Sequence, residues 1–190
     1  MRIIILIVAI FLLYSCQSEA STSKTIDLIN RDGDVIGEAT FAEQAEGVEV
    51  EVSVVGLSPG FHGIHLHEFP KCDTPSFESA GSHWTVDDAK HGLMHPEGHH
   101  IGDMPNLEVK QDGTAMFTYV ISEATLREGK GSIYSDEGKS LIIHEDMDDG
   151  VSQPAGNAGE RIACGAITKS SEQFEEENPG EDVKEEEEEA

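Results

Sequence analysis

The chain has 190 residues, 37% of them hydrophobic, which is enough for one cored domain with tails and too few to make two domains the expectation. A net charge of −26 excludes nucleic acid as a partner, because its phosphates would be repelled. Nineteen glycines and short, alternating apolar segments favour turns and strands over long helices, so the expected class is all-β.

Residues 1–16, MRIIILIVAIFLLYSC, carry one arginine, a short unbroken apolar run and then small Ser15 before Cys16. This is the pattern of an export signal. The run falls short of the roughly 20 residues of a comfortable membrane span, which leaves a retained helix as the lesser reading. Leu13-Tyr14-Ser15-Cys16 resembles the lipobox of bacterial lipoproteins, in which cleavage precedes the cysteine and that cysteine carries lipid. The expectation is a protein exported and lipid-anchored through Cys16 at a bacterial cell membrane, facing periplasm or exterior, with ordinary secretion as the alternative. Residues 17–23 are small and polar, as a tether should be.

A domain over residues 24–169 follows. Residues 25–30, 35–42 and 48–57 predict three strands joined by tight turns at Arg31-Asp32-Gly33-Asp34 and Gln44-Ala45-Glu46-Gly47. Val48, Val50, Val52 and Val54 alternate with Glu49, Glu51 and Ser53, the mark of a half-buried antiparallel strand. Residues 61–67, 106–110, 114–121, 140–144 and 161–168 supply five more strands, and eight short strands make a sandwich or Greek-key barrel. Between them, residues 68–105 have almost no periodicity; a loop that long inside a compact domain is usually functional.

Nine histidines are present, and their spacing is informative. His65 and His67 stand two apart on a strand and so share a face, where both rings can reach one ion. The loop then offers His83, His91 and His100, with Asp103 three residues further on; three imidazoles and a carboxylate suit tetrahedral zinc. His144, closing the apolar run Leu141-Ile142-Ile143, is a further candidate. His62 is an odd step from His65 and faces away from it; His95 and His99 are left out of both sets.

The runs Gly63-Ile64-His65-Leu66-His67-Glu68, His100-Ile101-Gly102-Asp103, Ile143-His144-Glu145 and Gly156-Asn157-Ala158-Gly159-Glu160-Arg161-Ile162-Ala163-Cys164-Gly165 closely resemble copper/zinc superoxide dismutases, in the family's order and over residues 24–168. The resemblance implies a flattened eight-stranded antiparallel Greek-key β-barrel, sandwich-like, with a long metal-binding loop. It implies copper on His65, His67, His83 and His144, and zinc on His83, His91, His100 and Asp103, with His83 shared. Imidazole suits copper in both its oxidation states. Asp148 matches the family's aspartate that accepts a hydrogen bond from one histidine of each metal site. The implied activity is disproportionation of superoxide to oxygen and hydrogen peroxide at a redox-cycling copper, with zinc structural, His83 serving also as proton donor and Arg161 receiving the anion. The alternative is a dismutase-like lipoprotein that binds metal without turnover. The resemblance also implies a disulfide between Cys72 and Cys164 that ties the long loop to the last strand; with Cys16 assigned to lipid, the cysteine count agrees with an oxidising compartment.

Three departures from the family pattern bear on function. Trp84-Thr85-Val86 follows His83 where many members have Phe, Asn and Pro, which bears on zinc affinity. The channel segment 145–160 holds no lysine, and Ala155 stands where many members have threonine. Arg161 is therefore expected to attract superoxide nearly alone, with a shallow dependence of rate on salt. Finally, residues 172–190 hold eleven acids and one lysine and read as a disordered acidic tail, assigned to 170–190; removing its −10 leaves −16 on the domain. Monomer and homodimer both stay open.

Overall fold

The computed structural model describes residues 22–169. The export signal, Cys16, most of the tether and the acidic tail lie outside the described residues. The domain is all-β, as expected. Its strands are β1 (Ser23–Asn30), β2 (Val35–Gln44), β3 (Gly47–Val54), β4 (Gly60–His62), β5 (Ile64–His67), β6 (Leu107–Val109), β7 (Ala115–Ile121), β8 (Lys139–His144) and β9 (Arg161–Ile167).

Seven of them form one curled antiparallel sheet in the order β5-β8-β9-β1-β2-β3-β7, while β4 pairs with β6. The β6–β7 turn is closed by Lys110 N–H donating to the Thr114 carbonyl at 2.9 Å, and β4 runs into β5 across Gly63. These links bring the two ladders round into a flattened Greek-key barrel: β3 reaches β4 by passing over β7 and β6. The single strand expected over 61–67 is divided at Gly63, whose backbone bonds twice to the chain at the end of β8: its N–H donates to Asp146 O and its carbonyl accepts from His144 N–H, both at 2.8 Å. A Cβ there would stand 2.9 Å from that of Ala158, so the position has no room for a side chain. The third strand ends at Val54 rather than at 57, because Gly56 takes a left-handed φ of +80° that breaks the pleat.

Alternation decides what enters the barrel. On β3 all four valines are buried and the intervening Glu49 faces outward with Glu51 and Ser53; each valine contributes about 2 kcal/mol on burial. They meet Leu28, Phe41, Leu66, Leu141 and Ile143 in the main core. A second, smaller cluster of Phe77, Ala80, Ile142 and Cys164 lies on the other face of β8 and β9. Strand parity therefore places Ile64 and Leu66 in the barrel and sends His65 and His67 to its outer face.

One irregularity matters for the site. Along the β8–β9 ladder Ile143 pairs with Ala163, but His144 then pairs with Arg161, so the register slips by a residue at Ile162. Ile162 packs on the main core, while Arg161 is turned to the face that carries Phe77 and Cys164.

Candidate metal centre

The structure brings together every residue of the two expected sets. One donor atom from each of His65, His67, His83 and His144 lies within 4.8 Å of the others, and the same holds for His83, His91, His100 and Asp103. His83 belongs to both. The rings of His65 and His83 are 4.0 Å apart at their centroids.

Each ring of the first set has one nitrogen fixed. His65 Nε2 donates to Asp148 Oδ2 at 2.9 Å, His67 Nδ1 to the Gly81 carbonyl at 3.0 Å and His83 Nδ1 to Asp103 Oδ1 at 2.9 Å; His144 Nδ1 faces the Gly159 carbonyl at 3.4 Å. The opposite nitrogens, His65 Nδ1, His67 Nε2, His83 Nε2 and His144 Nε2, are buried without any hydrogen-bond partner. Four desolvated lone pairs with nothing to bond to are costly in a polar group and natural in a metal ligand, so these residues fit a copper ion.

In the second set Asp103 is the hub. Besides His83, its Oδ1 accepts from His91 Nδ1 at 3.1 Å and lies 3.4 Å from His100 Nδ1, while Oδ2 accepts the backbone N–H groups of Gly92 and His100 at 2.8 and 3.1 Å. Burial alone would raise its pKa, but the hydrogen bonds from His100, His83 and His91 hold the carboxyl far below the usual range. This is a donor set of three imidazoles and one carboxylate, fitting zinc.

Asp148 joins the two sets. Its Oδ2 takes the proton of His65, and its Oδ1 takes those of His91 Nε2 at 3.0 Å and Gly150 N–H at 2.7 Å. Fixing Nε2–H on both rings leaves the His65 Nδ1 lone pair open and makes Nδ1 the nitrogen that His91 offers to a metal once its proton is displaced from Asp103. Burial opposes the charge on His91, yet its bonds to Asp103 and Asp148 raise the pKa to about 9. Burial lowers His83 to about 4 in spite of its bond to Asp103, and lowers His144 to about 2, keeping both rings neutral.

Arg161 stands at the edge of this centre. Its two terminal nitrogens donate to the carbonyls of Phe77 and Gly81 at 2.7 and 2.6 Å, so neutral partners fix the guanidinium without cancelling its charge. Both carbonyls belong to the long loop, which the Cys72–Cys164 disulfide ties to β9 with a Cα–Cα distance of 5.6 Å. Trp84 is buried in the main core, and its backbone is held between Leu66 O and Gly102 N–H. The substituted segment after His83 thus presents that ring from a fixed chain.

Three contributors escaped the sequence. Asn106 brackets the Asp148 backbone, donating to its carbonyl and accepting its N–H, both at 2.8 Å. His62 does face away from the metal rings, as its odd spacing indicates, but its nitrogens meet the carbonyls of Ser58 and His144 at 2.8 Å and brace the chain at His144. Arg31, from the β1–β2 turn, pairs with Glu160 beside Arg161. His95 and His99 join neither donor set.

Comparison with known proteins agrees with this geometry. Residues 35–167 match the family described as copper/zinc superoxide dismutase (SODC). A Cu-Zn superoxide dismutase of Aquifex aeolicus is 40% identical over 158 residues, spanning 82% of this chain and 92% of the relative. Among solved structures, a superoxide-dismutase-like protein from Bacillus subtilis shares 37% identity with a TM-score of 0.74, covering 78% of this chain and 99% of that one. The Cu/Zn superoxide dismutase from Brucella abortus shares 29% with a TM-score of 0.64, covering 77% and 99%. Both the strand order and the matched length lead to one assignment: this chain belongs to the copper/zinc superoxide dismutase family.

Proposed function

We propose that the chain disproportionates superoxide at a copper held by His65, His67, His83 and His144, beside a zinc held by His83, His91, His100 and Asp103. The observation that carries this reading is the convergence of four buried, partnerless ring nitrogens next to a fixed arginine. Copper supplies a one-electron couple between its +1 and +2 states, and zinc supplies fixed positive charge. Two superoxide anions and two protons give one oxygen and one hydrogen peroxide.

The protein's own share is positioning and proton supply. Arg161 receives the anion through donors that two carbonyls have already oriented. His83 faces Asp103 with Nδ1 and the other three imidazoles with Nε2; Nε2 is the atom at which a proton for peroxide is held and released. Burial of His65, His67 and His144 keeps them neutral and available as donors.

The Bacillus subtilis relative described only as superoxide-dismutase-like motivates the second reading, metal binding without turnover. Two substitutions separate the readings, measured as metal content per chain and dismutation rate with and without a copper chelator. His65→Ala is expected to lose copper and activity together. Arg161→Gln is expected to keep copper but lose kcat/KM on the order of 10- to 100-fold. An inactive, copper-loaded wild type would establish the metal-holding reading instead.

We also assign the mature chain to the outer side of a bacterial membrane, held by lipid on Cys16, a reading supported by the lipobox-like sequence. Cys16→Ser is expected to move the protein from the membrane pellet to the soluble fraction on cell fractionation; a variant that stayed in the pellet would overturn the anchor.

A further inference from the structure

The turn between β1 and β2 has no part in the metal centre by sequence, yet it delivers a cation to the approach to Arg161. Arg31 Nε donates to the Pro75 carbonyl at 3.1 Å, and its Nη1 pairs with Glu160 Oε2. Glu160 immediately precedes Arg161. Together Arg31, Ser76, Glu78, Gly159, Glu160 and Arg161 line one open cavity of about 290 Å³.

The pair is well exposed, at 43% for Arg31 and 64% for Glu160, and exposed ion pairs add little to stability. Its effect is on the field. The cavity wall holds two arginines and two glutamates and is electrically balanced; with Arg31 removed it carries a net negative charge, on a domain already at −16. Glu160 would then oppose Arg161 in the cavity that opens beside its guanidinium.

We propose that Arg31 is the counter-ion that masks Glu160 at the entrance, so that Arg161 presents its charge to a small anionic substrate. This rests on the reading of superoxide as substrate and goes beyond it by naming a specificity residue outside the metal-binding motifs. A masked, balanced entrance also accounts for the shallow salt dependence expected of a channel segment without lysines.

The test uses the copper- and zinc-loaded protein. For wild type, Arg31→Gln, Glu160→Gln and the double variant, kcat/KM for superoxide is measured against ionic strength, and azide affinity is read from the copper(II) absorption; metal content and Tm are recorded alongside. Arg31→Gln is expected to lose roughly threefold in kcat/KM and in azide affinity at low salt, and to recover as salt screens the bared carboxylate, so that its rate rises with ionic strength. Glu160→Gln in the same chain is expected to restore both to the wild-type level. Wild-type values in Arg31→Gln at low salt would overturn the proposal. So would a double variant as impaired as Arg31→Gln, or a loss that salt does not relieve and a lowered Tm accompanies, since either marks a strut and not a mask. If the copper-loaded wild type shows no dismutation, the superoxide reading falls, and the azide arm decides the mask by itself.

Discussion

Asp148→Asn is expected to weaken zinc and copper retention by ten- to a hundred-fold in competition with a chelator, while leaving the fold in place. The carboxylate accepts one ring proton on each oxygen, from His65 on Oδ2 and from His91 on Oδ1. An asparagine has one acceptor and one donor. The ring that meets its NH2 group must turn its lone pair toward the amide, which moves the ring proton to Nδ1, the nitrogen needed by the metal. The backbone clasp from Asn106 is unaffected, so the loop is expected to keep its course. A pH series adds a signature that simple loosening would not produce. In the metal-free wild type His91 holds its second proton up to a pKa of about 9, so zinc uptake must displace that proton and the apparent affinity climbs with pH until about 9. Losing one of the two carboxylates lowers that pKa, and the climb should level off at a lower pH. An unchanged metal affinity with an unchanged pH profile would contradict the role given to Asp148.

Breaking the Cys72–Cys164 bond should cost both stability and turnover. The bond closes a loop of 92 residues in sequence separation, for which the chain-entropy relation gives about 4–5 kcal/mol. In a domain of this size that corresponds to a fall in Tm of roughly 10–15 °C, measurable for Cys72→Ser or under a reductant. The functional loss has a separate origin. Phe77 and Gly81, whose carbonyls orient Arg161, lie on the loop just beyond Cys72, and Phe77 packs with Cys164 itself. With the tether cut, Arg161 loses its fixed acceptors, and kcat/KM is expected to drop about tenfold at a temperature where the protein remains folded. Full activity in the folded, reduced protein would show that the loop holds Arg161 without the bond.

Much of the architecture was legible because each strand had a face to hide. The four valines of β3 alternate so regularly that one burial pattern is available to them, and the spacing of His65 and His67 follows the same rule. The loop ligands were legible through a donor set whose chemistry is restrictive. What stayed hidden lay between segments distant in sequence. Arg31 and Glu160 are 129 residues apart, and Asn106 and Asp148 are 42 apart; neither pair leaves any periodic trace. The division of the fourth strand was hidden for another reason. Gly63 sits within an apparently continuous strand, and its role as a crossing point appears only when Asp146 and His144 are seen bonded to it.

The slip at Ile162 solves a problem of phase. Along β9, Ala163 and Ile167 belong to the barrel interior, and counting back by twos would aim residue 161 inward as well, burying a guanidinium among Ala163 and Ile143. One extra residue reverses odd and even: the strand keeps its greasy side through Ile162 and still ends with its cation outdoors, abreast of His144. The placement of Arg161 therefore depends on a residue count as much as on residue identity. Deleting Ile162 would leave Arg161 directly before Ala163 and still outside, whereas inserting one residue between Arg161 and Ile162, a change that removes no ligand and no charge, would carry Arg161 to the wrong side of the sheet.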